Sequence, residues 1–319
     1  LKGRAMAKAR LIILGVLLIG ACLFFLTFNA HGNWDFVLPF RAKKLILLLL
    51  IAYTIGISTL LFQTLTQNPI LTPGILGFDS LYLLMQSALV FFFGGIGFTQ
   101  LDLSFKFIFE TGLMIMAALL LFSSLTKNNR EDLTRMILIG VIFGVLFRSL
   151  TNLLQRIIDP TEFAIAQGAS FASFNSVKPT LLWFGSVISI ISALWIWRQR
   201  HKLDLLLLGQ NKALSLGIHY GAFSRQILLC CAILVSISTA LVGPILFLGL
   251  LVCAIGNALS PTFYHAVRLP MIFFVSAITL VLGQSIFEQV LNMQGVLSVV
   301  IEFLGGIIFI YLILRRKSL

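Results

Sequence analysis

Eight long apolar runs, and two more that are short or merged, fill most of this 319-residue chain, at 11–28, 45–65, 80–98, 107–125, 136–157, 181–197, 226–242, 244–256, 269–287 and 295–314. Crossing a bilayer as a helix takes about 20 mainly apolar residues, which such runs supply. The reading is an all-α membrane protein of about ten transmembrane helices, in one polytopic domain over 1–319. Residues 226–256 form one apolar stretch, and Gly243-Pro244 inside it predicts a full helix followed by a short return. A soluble core is excluded by composition: 59% of residues are hydrophobic and 11% charged, against about 45–50% and about 25% in ordinary soluble domains.

Charge orients the spans. With ten helices, 16 of the 23 Lys and Arg residues fall in the termini and connections of one side, which the positive-inside rule assigns to the cytoplasm, so both termini are expected there. The outer seven are Arg41, Lys43, Lys44, Lys106, Arg148, Arg156 and Lys178. This bias and the outer cluster account for the net charge of +12 without a nucleic-acid partner. The first run follows Lys2, Arg4, Lys8 and Arg10 as a signal peptide would, yet residues 22–34 hold no small-residue cleavage site, so it reads as a retained anchor.

No polar stretch reaches 40 residues, too little for a soluble catalytic or nucleotide-binding domain. The G-x-x-x-x-G-K-[ST], H-E-x-x-H and C-x-x-C motifs are absent. Cys22, Cys230, Cys231 and Cys253 lie in apolar runs and read as small packing residues, while His31, His201, His219 and His265 read as separate loop or interfacial residues. Neither a cofactor nor a resident metal is expected, and any ATP hydrolysis belongs to another chain.

One segment is unfit for either helix or lipid: QNPILTPGILGFD, residues 67–79. Pro69 and Pro73 force non-helical backbone, and Gly74 and Gly77 let the chain turn back. Such backbone survives in a membrane only at an interface, buried in protein, or lining a watery path. The segment therefore points to transport, with a tight interhelical turn as the plainer alternative.

The same segment, with RAKK at 41–44 and ISTLLFQTLT before it, resembles the second span and following loop of permeases in the iron-chelate and cobalamin (FecCD-type) family of ABC importers. Arg41, Lys44, Gln63, Asn68, Pro69, Pro73, Gly74 and Gly77 carry the match. LLLLGQNKALSLGIHYGAFSRQ at 205–226 is similar to the family's cytoplasmic coupling loop, with Ala213, Leu216 and Gly217 on its A-x-x-L-G. GPILFLGLL at 243–251 matches a third family run. The resemblance implies a type II ABC importer permease fold in a bacterial inner membrane. It also implies a second permease subunit, identical or paralogous, two ATP-binding subunits and an extracytoplasmic substrate-binding protein.

On this reading Arg41 and Lys44 dock the receptor, Gln63, Asn68, Pro69 and Pro73 lie by the translocation path, and Ala213, Leu216 and Gly217 couple to the ATPase. For Gly217 the plainer alternative is a left-handed helix cap. Departures at Cys253, Ala254, Asn257, Gly283, Gln284, Ser285, Gly305, Gly306 and Ile307 resemble a branch that imports catecholate-type ferric siderophores.

Arg148 is the costliest side chain, since an Arg at mid-span costs about 2.5–3.5 kcal/mol unless it meets water or a partner. It reads either as a cation on the path or as a residue snorkelling to the outer interface, and Glu302 is its possible partner. An ion-coupled secondary transporter is the alternative class. It needs protonatable or Na⁺-coordinating groups near the midplane, where Arg148 and Glu302 are the charged residues expected well inside the spans.

Overall fold

The computed structural model describes residues 2–28, 34–123, 132–174, 177–289 and 297–316. Among these the chain is helical: α1 Lys2–Thr27, α2 Trp34–Thr66, a 3-10 turn Pro73–Leu76, α3 Phe78–Gln100, α4 Leu103–Ser123, α5 Asp132–Ile157, α6 Pro160–Ala169, α7 Pro179–Leu206, α8 Gln210–Ser215, α9 Tyr220–Val242, α10 Leu248–Leu259, α11 His265–Gln289 and α12 Leu297–Arg316. Among the described residues, eight helices are long and apolar enough to cross a membrane. The expected break at Gly243-Pro244 is present: α9 stops at Val242, Gly243 takes φ +96°, and α10 has 12 residues. At 1.5 Å per residue α10 spans about 18 Å, short of the hydrocarbon thickness of about 30 Å.

Helices α2 and α9 bury most of their length, while α1, α5 and α7 turn most of their side chains outward, as Ile12, Val16, Ile142, Val145, Trp183 and Ile190 do. The centre is packed through small residues, which let helices approach closely in lipid. Gly249 of α10 leaves no room for a Cβ against Thr59 of α2, and Gly185 of α7 fits among Leu50, Ile237 and Leu241. Ser58 and Ser238, in the similar ISTLL and ISTAL segments of α2 and α9, are both buried and donate to carbonyls three residues back, 3.1 Å and 3.0 Å away. Cys230, Cys231 and Cys253 are buried and free, as their apolar settings suggest, and Cys231 Sγ lies 3.4 Å from the Ser58 carbonyl.

Two features escaped the apolar pattern. Gly94 is non-helical within α3, at φ +70° and ψ 167°, so α3 is two helices joined at a break. The Gly95 N–H there donates to Glu162 Oε1 at 2.9 Å. Glu162 stands on α6, a ten-residue helix capped by Asp159, which accepts from Thr161 N at 2.9 Å, with Pro160 at its first position. Nearby, Lys178 pairs with Asp102, fastening the α3–α4 turn to the start of α7. That ammonium holds the Asp102 carboxyl below the usual carboxylate range.

Candidate functional site

The proline-glycine segment folds as a seat built on α5. Asn68 Oδ1 accepts from Ile70 N at 3.0 Å, closing a local turn, and the buried Gln63 donates from Nε2 to the Pro69 carbonyl at 2.8 Å. Pro73 opens the 3-10 turn with its fixed φ. Gly77 ends that turn at φ +91° and starts α3. Its backbone lies directly against α5: a Cβ on Gly77 would stand 3.0 Å from Gly144 Cα, and one on Gly140 would stand 2.9 Å from Leu76 Cα. Both conditions of Gly77, a left-handed φ and no space, exclude any other residue without movement.

Gly140, Gly144 and Arg148 recur every four residues on α5, so they form one stripe. Where the glycines seat the turn, Arg148 is exposed on the next turn of the helix. Asp79, second residue of α3, lies over Gly74 so closely that Gly74 has no space for a Cβ. The positive end of the α3 dipole favours a carboxylate there. Arg148 and Glu302 both lie within electrostatic range of Asp79. The charges of Arg148 and Glu302, singled out in the sequence, are thus both felt at Asp79, a carboxylate whose role the motif contained without revealing.

The two cations expected to dock the receptor, Arg41 and Lys44, are engaged within the chain. Arg41 donates from Nη1 to the carbonyls of Phe25, Leu26 and Phe28 at 3.2, 3.3 and 2.6 Å, capping the end of α1. Lys44 is buried and ion-paired with Glu288, which also accepts from Gln284 Nε2 at 2.7 Å. Gln284 and Asn257 are two of the departures from the general family pattern. Asn257 likewise has a partner, accepting from Arg268 Nε and Nη2 at 3.0 and 2.7 Å.

At the other end of the bundle, Gly217 is a left-handed cap: at φ +84° it donates to Leu214 O at 3.0 Å while Ile218 N reaches Ala213 O at 3.1 Å. No neighbour lies within 4 Å of a Cβ at Gly217, and Leu216 is exposed. Ala213 is fully buried in the chain's own core, so it seats α8 and does not reach outward. A groove lined by Leu208, Asn211, Lys212, Ser215 and Leu216 runs along the outward side.

Sequence reading missed a cluster beside α8. His265 starts α11 and is buried, contrary to its assignment to a loop. Its Nδ1 and its backbone N each lie 2.7 Å from Asp204 Oδ1 on α7, and its Nε2 lies 2.9 Å from Thr64 Oγ1 on α2. These residues are separated by 61 and 201 positions, so no local pattern announces them. His201 lies within α7, His219 immediately precedes α9 without a side-chain cap bond, and His31 is outside the described residues.

The FecCD transport family model matches residues 7–315. The chain is 42% identical over 313 residues to the petrobactin import system permease protein YclO of Bacillus subtilis (strain 168), covering 98% of each chain. It is 34% identical to the petrobactin import system permease protein FatC of Bacillus anthracis, covering 88% of this chain and 79% of that one. A solved inward-facing structure of a metal-chelate type ABC transporter shares the fold, with TM-score 0.85 at 21% identity over 97% of this chain and 99% of that one. The chain is a multi-pass transport subunit and belongs to the FecCD transport family.

Proposed function

We propose that the chain is the inner-membrane permease subunit through which an ABC importer takes up a ferric siderophore of the catecholate type, with ferric petrobactin as the first candidate. The observation that carries this is the 42% identity to a petrobactin import permease across 98% of both chains. The groups around the 67–79 turn supply a matching chemistry: Gln63, Asn68, Pro69 and Pro73 shape the wall, and Arg148 offers a cation to an anionic chelate. Asp79 keeps that cation from standing alone in a medium of low dielectric.

The family implies its partners, and the surfaces left outward offer each a place. Two ATP-binding subunits contact α8 through Leu216 and Gly217, with Ala213 holding the helix in place. A second permease, identical or paralogous, completes the path. The extracytoplasmic receptor docks at the end where Arg41 and Lys44 lie. Lys44, buried against Glu288, fixes that end, and Arg41 is the partly exposed cation. Both termini are cytoplasmic.

The test is uptake of ⁵⁵Fe by cells lacking the chain and by complemented cells, given ferric petrobactin, a ferric hydroxamate or ferric enterobactin. Loss and recovery confined to ferric petrobactin supports the assignment, and unaltered uptake of all three chelates contradicts it.

A further inference from the structure

Gln67, the first residue after α2, is the one non-glycine among the described residues with a positive φ, at +51°. A left-handed residue just past a helix is ordinarily Gly or Asn, because a longer side chain crowds the backbone there. Gln67 is held by its own side chain. Its Nε2 donates to the carbonyl of Leu206, the last residue of α7, at 3.0 Å, and lies 3.7 Å from where a Cβ on Gly209 would stand. Gly209, at φ +94°, is the residue from which α8 starts. One amide thus bonds the end of α7 and lies beside the residue that begins α8, while its backbone opens the turn that leads to Pro69 and Pro73.

The cluster around His265 makes this junction stiff. Asp204 Oδ1 accepts from both the backbone N–H and the Nδ1–H of His265, which leaves Nε2 to accept from the Thr64 hydroxyl. The end of α7 is therefore tied to the end of α2 twice, through His265 and through Gln67. Beyond Gln67 the links continue as short bonds and close packing: Gln63 to Pro69 at 2.8 Å, then Gly77 against Gly144, with Arg148 one turn further along α5.

We infer that Gln67 is a positioning residue for transport, which passes displacement of α8 to the 68–77 turn and so to the path wall at α5. The inference rests on the proposed contact between α8 and the ATP-binding subunits. A purely structural role for Gln67 is separable from this. Gly accepts a left-handed φ without strain, so Gln67→Gly relieves the backbone and removes only the amide link. Gln67→Glu keeps the shape but sets a carboxylate oxygen against the Leu206 carbonyl in place of a donor.

The experiment reconstitutes the permease with its ATP-binding subunits in vesicles, adds receptor and ⁵⁵Fe-petrobactin, and measures iron accumulated per ATP hydrolysed, with thermal melting of each complex as a check on assembly. Both variants are expected to melt within a few degrees of the parent, with Gln67→Gly no lower, yet to lower the transport ratio by at least about fivefold, the small end of ordinary coupling between sites. Gly217→Trp serves as the reference for the α8 contact, and its melting, read beside the others, separates obstruction of that contact from the strain of a side chain at φ +84°. If Gly217→Trp lowers the ratio and both Gln67 variants keep the parental one, the inference is overturned and the α8 contact stands. If Gly217→Trp keeps the parental ratio, the α8 contact is overturned and the inference with it.

Discussion

Gly77 and Gly144 meet backbone to backbone, since a Cβ on either would come within 3.2 Å of the other's Cα. This contact fixes how deep the 67–79 segment sits. Gly144 follows the start of α5 by 12 residues, or about 18 Å along the helix, so the Gly77 end of the turn packs against the middle of α5. Gly144→Val should force the turn off α5 at a cost of about 1–3 kcal/mol, the usual range for overpacking. Melting in detergent should show a lower midpoint, and iron uptake should fall with normal membrane insertion. A variant that melts and transports like the parent would place the turn elsewhere.

The buried Lys44–Glu288 pair gives a different signature from the receptor contact assigned to the same end. Lys44→Met leaves a buried carboxylate without its cation, which costs about 3–5 kcal/mol in comparable sites, and adding Glu288→Gln should restore much of the loss. Melting midpoints of the single and double variants check this. A single variant as stable as the parent would show that the pair is not structural.

Arg41→Glu, in contrast, should slow receptor association at low salt and matter less at high salt, because a partly exposed charge acts mainly on encounter. Its hold on the α1 carbonyls makes melting the necessary companion measurement. Parental association kinetics at low salt would remove Arg41 from the receptor surface.

On the proposed path, Arg148 is the cation whose charge is felt at Asp79. Arg148→Gln should therefore insert normally and lose uptake of anionic ferric chelates more than of neutral ones, since specificity is a difference between attraction and repulsion. Competition between such chelates in whole cells reads this directly. Equal loss for all, together with poor insertion, would assign Arg148 to folding.

The helices were legible because burial in lipid leaves a simple record: long apolar runs, ended by the residues that stop helices. The break at Gly243-Pro244 and the turn at Pro69–Gly77 were legible for the same reason. Helix α6 was not found, although Asp159, Pro160 and Glu162 form an ordinary start signal, because its ten residues carry no apolar run of spanning length. The family motifs located the turn and the α8 loop, but contact direction is a property of the folded chain. Ala213 faces inward and Leu216 outward although they stand three residues apart. The union of Asp204, His265 and Thr64 depends on how three helices end together, which no spacing in one sequence records.

The central claim is that iron crosses through this chain under the drive of ATP hydrolysed by partner subunits. Its most direct test is ⁵⁵Fe-petrobactin accumulation in vesicles holding the permease and its ATP-binding subunits, with receptor outside, ATP inside and no ion gradient. Accumulation should require both ATP and receptor and should cease when a non-hydrolysable analogue replaces ATP. Accumulation driven by an imposed proton or sodium gradient in the absence of ATP would contradict the account and favour an ion-coupled transporter.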